Sequence, residues 1–303
     1  MPGQTGPLTA GIESTYKARE VEGVLDLYFY RKLGFQLARL AAALRLTPSA
    51  VTWIGGLLGI SAGHLYYYTD IRLNLIGMAL HIAANLFDNA DGQLARLTQR
   101  QSRTGRILDG YVDHLVWLSV YVHLILRADS TGSLAFNCAL GVFAALSHGW
   151  QSAAADYYRT TYLHFLKGSP PAQMDEFAAL QHECRSASWA NPWSKFLLLL
   201  HRNYTRQQEI QSPRLHRLRT LMAERIAIVP RFLAQAKPAF KWWGFLMTNT
   251  RMLILFAALL LGRPRGFFWV EAIIFNLVLV VLVIRQERMS SELLRVPAES
   301  TTL

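Results

Sequence analysis

Between Phe267 and Ile284 the chain runs for 18 residues with one ionisable side chain, Glu271. That length approaches the roughly 20 residues needed to cross a hydrocarbon core about 30 Å thick. A second stretch, Met252 to Leu261, is also nearly free of charge. Soluble cores rarely need such runs, so the 52% hydrophobic content and mean hydropathy of +0.18 point to a polytopic membrane protein rather than a large soluble domain.

The formal charge of +11 would suit a nucleic-acid binder, but the basic residues do not form one patch interleaved with aromatics. They alternate along the chain. Lys17, Arg19, Arg31, Lys32, Arg39 and Arg45 precede the first apolar segment, and only Arg72 follows it. Arg96, Arg100, Arg103 and Arg106 come after the second segment, Arg127 after the third, and a basic stretch from Arg159 to Lys241 after the fourth. Arg263 and Arg265 then separate the last two segments, ahead of a tail with Arg285, Arg288 and Arg295. This alternation is what the positive-inside rule gives for six spans with both termini cytoplasmic. The charge is topological, and nucleic acid is excluded as a partner.

The fold class read from this pattern is all-α integral membrane, with six transmembrane helices and an N-terminal amphipathic juxtamembrane helix. Residues 1–46 form an arm and that interfacial helix, since leucines at 33, 37, 40 and 44 share one face while Lys32, Gln36 and Arg39 take another. Thr47-Pro48-Ser49-Ala50-Val51-Thr52 breaks the helix, because a proline pushes its predecessor out of the helical region and itself suits a first turn. Residues 47–285 form the membrane domain. Its first span ends near Tyr68, the others lie near 71–98, 104–127, 133–160, 240–262 and 267–285, and a polar cytoplasmic loop occupies about 161–239. That loop holds Gly168-Ser169-Pro170-Pro171 and Asn191-Pro192, and its apolar pieces, such as Phe196 to Leu200, are long enough only to lie at the interface. Residues 286–303 are a cytoplasmic tail. No cleavable signal peptide is visible at the N-terminus, and Cys138 and Cys184 suggest neither a disulfide framework nor a zinc site.

One stretch conflicts with membrane insertion. The second span contains Asp88 and Asp91, and the third opens with Asp109 and Asp113. A carboxylate at the bilayer centre costs about 2.5–3.5 kcal/mol on insertion scales, and less near the interface. Asp88, Asp91, Gly92, Ala95 and Arg96 share one helical face, and Asp109 and Asp113 share another at i, i+4. A short basic turn would join the two helices as an antiparallel hairpin and let those faces meet. Four converging carboxylates need a cation, and oxygen-only ligands suit a hard divalent ion, Mg²⁺ or Mn²⁺, singly or as a pair. Hard ions in turn point to phosphate. Gly92 and Ala95 leave room for a ligand, and Arg96 could hold a phosphate or pair with an aspartate.

The run Asp88-x2-Asp91-Gly92-x2-Ala95-Arg96-x8-Gly105-x3-Asp109-x3-Asp113 places eight fixed positions in 26 residues. It resembles, without gap or substitution, the signature of the CDP-alcohol phosphotransferase family. The resemblance implies a six-helix, usually homodimeric membrane fold that displaces CMP from a CDP-linked donor with the hydroxyl of an acceptor alcohol. By the same resemblance the four aspartates hold divalent metals, two Mg²⁺ or Mn²⁺ ions, that bridge the donor's diphosphate, and Asp113 is also the base for the acceptor hydroxyl. Gly92, Ala95 and Arg96 match positions beside the nucleotide and diphosphate, Gly105 belongs to the motif, and Ser102 falls at a further donor contact of phosphatidylinositol-phosphate-synthase relatives. Thr47, Pro48, Ser49, Ala50 and Thr52 resemble a family element near the nucleotide, with Ser49 in place of the commoner asparagine. The active site would face the cytoplasm.

The expected reaction moves a phosphatidyl-type group from a CDP-linked lipid, CDP-diacylglycerol, to a polar alcohol within membrane lipid. Two alternatives stand beside it: a CDP-linked polar alcohol donating to a lipid or inositol-phosphate acceptor, and a non-enzymatic cation transporter or scaffold. Further polar residues have two readings each. His81 is a satisfied core histidine or a ligand. The stripe His148, Gln151, Ser152, Asp156 and Arg159 lines an acceptor pocket or ends a hydrated helix, and Arg251 binds acceptor phosphate or snorkels. Arg214, Arg217, Arg219 and Arg225 are a lipid-facing or solvated surface, or touch substrate.

Overall fold

The structure, a computed structural model, describes residues 19–127, 133–167 and 175–295. The arm before residue 19, the Gly168-Ser169-Pro170-Pro171 segment and the end of the tail lie outside the described residues. Among those described, every regular element is helical. A π-helical turn at Asp26–Tyr30 leads into α1 (Arg31–Ala43), followed by α2 (Pro48–Leu65), α3 (Ile71–Leu97), α4 (Arg103–Arg127) and α5 (Leu134–Lys167). Next come α6 (Phe177–Ser186), α7 (Pro192–Gln211), α8 (Pro213–Glu224), α9 (Val229–Ala236) and α10 (Phe240–Trp243). The chain ends with α11 (Thr248–Leu260), α12 (Pro264–Trp269), a π-helical stretch Val270–Phe275, and α13 (Asn276–Leu294).

The sequence dictates the ends of the elements that carry the aspartates. Thr47 caps α2, its side-chain oxygen accepting from the Ala50 amide at 3.2 Å while Pro48 takes the first helical position, where no amide is needed. Asp70 caps α3 through the Arg72 amide at 2.8 Å. At the other end of α3, Gln99 adopts the left-handed conformation (φ 54°), and the Arg100 amide reaches back to the Ala95 carbonyl at 2.9 Å. This Schellman closure turns the chain sharply into α4.

The expected α3–α4 hairpin is modified by α2, which packs along both helices. A Cβ on Gly55 would lie 2.9 Å from the Phe87 side chain of α3, while Gly56, Gly59 and Gly63 face Val112, Val116 and Ser119 of α4. Small residues let backbones approach where packing, not water, drives association. The leucine stripe of α1 has Leu33, Leu40 and Leu44 exposed and Leu37 half-buried. Its opposite face, Gly34, Phe35, Ala38 and Ala41, is buried, and Gly34 lies against Asn89 and Gln93 of α3.

The six expected spans are shown only in part. By length and composition, two helical stretches among the described residues could cross a membrane, Ile226–Leu260 and Pro264–Leu294. In α2 to α5, glycines and inward-facing polar groups such as Asn74, His81, Asp91 and Gln151 dilute the hydropathy. The expected 240–262 span is interrupted by an extended residue, Met247, and α11 alone is 13 residues, about 20 Å long. The 161–239 loop is largely helical. The first part of it extends α5 to Lys167, and α7 and α8 pack against α4, α5 and α13.

Arg251 neither snorkels nor faces an acceptor. It is fully buried and pairs with Glu271, which is equally buried. Its guanidinium also donates to Gln151 Oε1 at 2.8 Å and to the Leu246 carbonyl at 3.1 Å. The π-helical stretch that interrupts the longest apolar run carries Glu271, and the extra residue in that turn lets the carboxylate face this network.

Candidate active site

Thr52 stands one turn into α2, and its hydroxyl, also 3.1 Å from the Pro48 carbonyl, donates a short hydrogen bond to Asp91 Oδ2. Asp91 is 5% exposed. One turn earlier on α3, Asp88 is half-buried, and its charge acts on Asp109 of α4. Asp109 also feels the charges of Asp91 and Asp113, and its Oδ1 is buried with no hydrogen-bond partner. Asp113, one turn further along α4, is exposed. Asp88, Asp109 and Asp113 line a cavity of about 30 Å³ together with Thr52, Asn85 and Thr248. That space is about the share of one water molecule.

The four predicted aspartates therefore come together. Arg96 lies on the same α3 face, within electrostatic range of Asp91 and Asp109, and its Nε and Nη2 are buried with no hydrogen-bond partner. A Cβ on Gly92 would meet the Arg96 guanidinium at 3.5 Å, ordinary contact, so Gly92 leaves that side open. Ala95 is half-buried on the next turn. Lys167, at the end of α5, comes within electrostatic range of Arg96. Other predicted residues sit at the helix ends. Thr47 caps α2, and Ser102 caps α4 by accepting from the Gly105 amide at 3.0 Å. Pro48, Ser49 and Ala50 form the first turn of α2, half-buried. Of the predicted Thr47–Thr52 element, Thr52 is the residue that reaches an aspartate.

A polar relay beside the aspartates was not anticipated. Asn85 donates to Asn249 Oδ1 at 3.0 Å, and Asn249 donates to Asp26 Oδ1 at 2.9 Å, tying α3, α11 and the N-terminal π-turn together. Asn85 lies one turn before Asp88 on the aspartate face, and that spacing was the available signal. His81 lines the cavity but behaves as a core residue, its Nδ1 3.3 Å from the Tyr66 hydroxyl and its ring against Trp117 and Phe256. The α5 stripe is used for packing: His148 meets the Tyr121 hydroxyl at 3.2 Å, Gln151 donates to Asn276, and Asp156 accepts from Tyr204 and Gln208.

At the turn after α3, Arg103 binds both Glu183 (2.9 Å) and Asp175 (3.1 Å), and His201 closes on Asp175 at 2.8 Å. Burial pushes the Asp175 carboxyl up, but the His201 hydrogen bond and the Arg103 charge outweigh it and hold the group below its usual range.

The donor set suits a hard divalent ion: four carboxylates and a hydroxyl, all oxygen, with one carboxylate oxygen unpartnered in a buried position. Among the described residues, however, no group of three or more His, Cys, Asp or Glu stands in an arrangement that could hold a metal ion.

Residues 45–162 match the model of the CDP-alcohol phosphatidyltransferase family, a span that contains every residue of the aspartate cluster. No curated protein matches the chain. That family is membrane-associated and in general divalent-metal dependent, and its members transfer a phosphoryl group from a CDP-alcohol to an acceptor. With its signature aspartates gathered on two helices around a third, the chain over residues 45–162 matches the CDP-alcohol phosphatidyltransferase family, whose members are transferases of substituted phosphate groups.

Proposed function

We propose that the protein transfers a phosphatidyl-type group from a CDP-linked lipid, CDP-diacylglycerol, to the hydroxyl of a polar alcohol, releasing CMP and forming a phospholipid. The observation that carries this reading is the convergence of Asp88, Asp91, Asp109 and Asp113 beside Arg96, whose buried guanidinium nitrogens lack partners. A cavity of about 30 Å³ admits an ion and not a nucleotide, so the donor lies across the cytoplasmic ends of α3 and α4. Asp88, Asp91, Asp109 and Asp113 would hold Mg²⁺ or Mn²⁺. When bound, such ions neutralise charge on the donor's diphosphate as CMP leaves.

The chain's own residues supply the rest. Thr52 fixes one rotamer of Asp91, Arg96 holds a phosphate oxygen, and Gly92 leaves that approach unobstructed. Asp113, the most accessible of the four carboxylates, takes the proton of the acceptor hydroxyl. Support for six membrane-crossing helices comes from an inverted polarity. Leu57, Ile76, Leu118, Phe143 and Leu253 are exposed on the outside of α2, α3, α4, α5 and α11, while Asn74, His81, His148, Gln151 and Arg251 are buried within. With the aspartates near the basic α3–α4 turn, the active site faces the cytoplasm, where both termini also lie.

The test is CMP release by the purified protein in lipid with Mg²⁺ or Mn²⁺, CDP-diacylglycerol and a panel of polar alcohols. Release that depends on one alcohol, and is abolished by Asp113→Asn, supports the reading. Release only from a CDP-linked polar alcohol would reverse donor and acceptor, and no release from either donor would refute it.

A further inference from the structure

A cavity of about 530 Å³ opens between the last turns of α13 and the α9–α10 region. It shares no lining residue with the aspartate cavity. One wall is a single stripe of α13, in which Val281, Ile284, Arg285, Arg288 and Glu292 recur at helical spacing. The stripe changes chemistry along its length. Val281 and Ile284 are exposed apolar side chains, whereas Arg285 and Arg288, one and two turns on, are exposed cations with no ion-pair partner among the described residues. Glu292 follows at the rim and leaves a net charge of +1 from the three (two arginines less one glutamate).

Behind this stripe stands Gln286, which lines the same cavity. It is 3% exposed, and neither its Nε2 nor its Oε1 has a hydrogen-bond partner. A buried amide with both ends unmet is costly to hold and calls for a ligand that offers an acceptor and a donor, or ordered water. The helix belongs to the stretch Pro264–Leu294, long and apolar enough to cross a membrane, so the change from apolar to basic falls where such a helix leaves the hydrocarbon. A volume of 530 Å³ lies within the range of sites that enclose a ligand.

We infer that this cavity is a lipid-binding site separate from the transferase site, taking a phospholipid with an anionic headgroup. The phosphate lies between Arg285 and Arg288, the acyl chain runs along Val281 and Ile284, and Gln286 Nε2 donates to an ester carbonyl of the glycerol region, its Oε1 being left to ordered water. The inference rests on the membrane reading of α13 but not on the identity of donor or acceptor, and its test does not use turnover.

Purified full-length protein in detergent is incubated with phosphatidylglycerol, phosphatidylcholine or inorganic phosphate, and lipid retention is measured by native mass spectrometry. Phosphatidylglycerol is expected to be retained at least about tenfold more tightly than phosphatidylcholine, and Arg285→Gln with Arg288→Gln to remove that preference. Millimolar inorganic phosphate is expected not to displace the lipid. Should the double variant fail to fold, Arg288→Gln alone carries the test at about three- to fivefold. Equal retention of the two lipids, unchanged preference in the variants, or displacement by inorganic phosphate would each overturn the inference.

Discussion

Replacing Gly63 by alanine tests whether α2 is the wedge that sets α4. A Cβ at Gly63 would stand 2.5 Å from Ser119 Oγ, 2.8 Å from the Val120 amide nitrogen and 2.9 Å from the Ser119 carbonyl carbon. Two of these are backbone atoms, so no rotamer change relieves them. Reaching the 3.4 Å of ordinary contact requires the two helices to part by about half an ångström. The same movement strains the 2.9 Å bond from Ser119 Oγ to the Ile60 carbonyl. Overpacking of this kind costs about 1–3 kcal/mol. At Gly56, nearer the aspartates, the added Cβ would overlap the Val112 side chain, which can rotate away, so Gly56→Ala should cost less. Thermal melting in detergent ranks the two: Gly63→Ala is expected several degrees below the parent protein and below Gly56→Ala. Because α4 carries Asp109 and Asp113, Gly63→Ala should also slow CMP release by about tenfold or more, a consequence of misplacing a catalytic group by a fraction of an ångström. A Gly63→Ala protein that melts with the parent, or above Gly56→Ala, would refute the wedge.

Thr52→Val removes the hydroxyl that holds Asp91 and should lower CMP release by roughly 10- to 100-fold with little change in melting, in keeping with about 1.5–3 kcal/mol for a hydrogen bond to a charged group. Glu271→Gln leaves the Arg251 cation buried without its counter-ion and should cost about 3–5 kcal/mol, whereas the double change Arg251→Met with Glu271→Met should cost clearly less than the two single losses together. A double-variant melting cycle reads that difference. The Glu20 carboxyl is held below its ordinary value of 4.5 by hydrogen bonds from Lys237 and Tyr162. Its contribution is therefore fully present above pH 4.5 and is lost as pH falls through the lower folded value. Hydrogen exchange of residues 19–30, corrected for intrinsic rate, should stay flat between pH 5 and 8 and rise only below about 4.5, and Lys237→Met should remove that dependence.

The aspartate cluster was legible because its spacing is geometric: i, i+3 on one helix and i, i+4 on another leave few ways to arrange four carboxylates. The cap at Thr47 and the break at Pro48 were legible for the same local reason. The role of α2 was less so. Gly55, Gly56, Gly59 and Gly63 follow a helical spacing that signals close approach, but which neighbour they approach is decided by tertiary packing. Arg251 illustrates the reverse case. Nothing near it in sequence announces Glu271, twenty residues on, and the π-turn that aims Glu271 inward leaves no mark in an apolar run. Likewise Asn85 is on the aspartate face, but its partner Asn249 is 164 residues away and only the folded bundle brings them together.

The Arg251–Glu271 pair also bears on how the protein is made. Each group alone would cost about 2.5–3.5 kcal/mol at mid-membrane on insertion scales, and the charge of each is answered by the other. The two lie in the final pair of apolar stretches, joined by Gly262 and Arg263. On the proposed membrane reading, neither stretch can leave the insertion machinery cheaply on its own, so the two would enter the bilayer as one unit, after α5 is in place to offer Gln151 to the arginine. A ribosome-bound chain ending between them would hold an unanswered cation, and the order of synthesis thereby becomes an order of assembly.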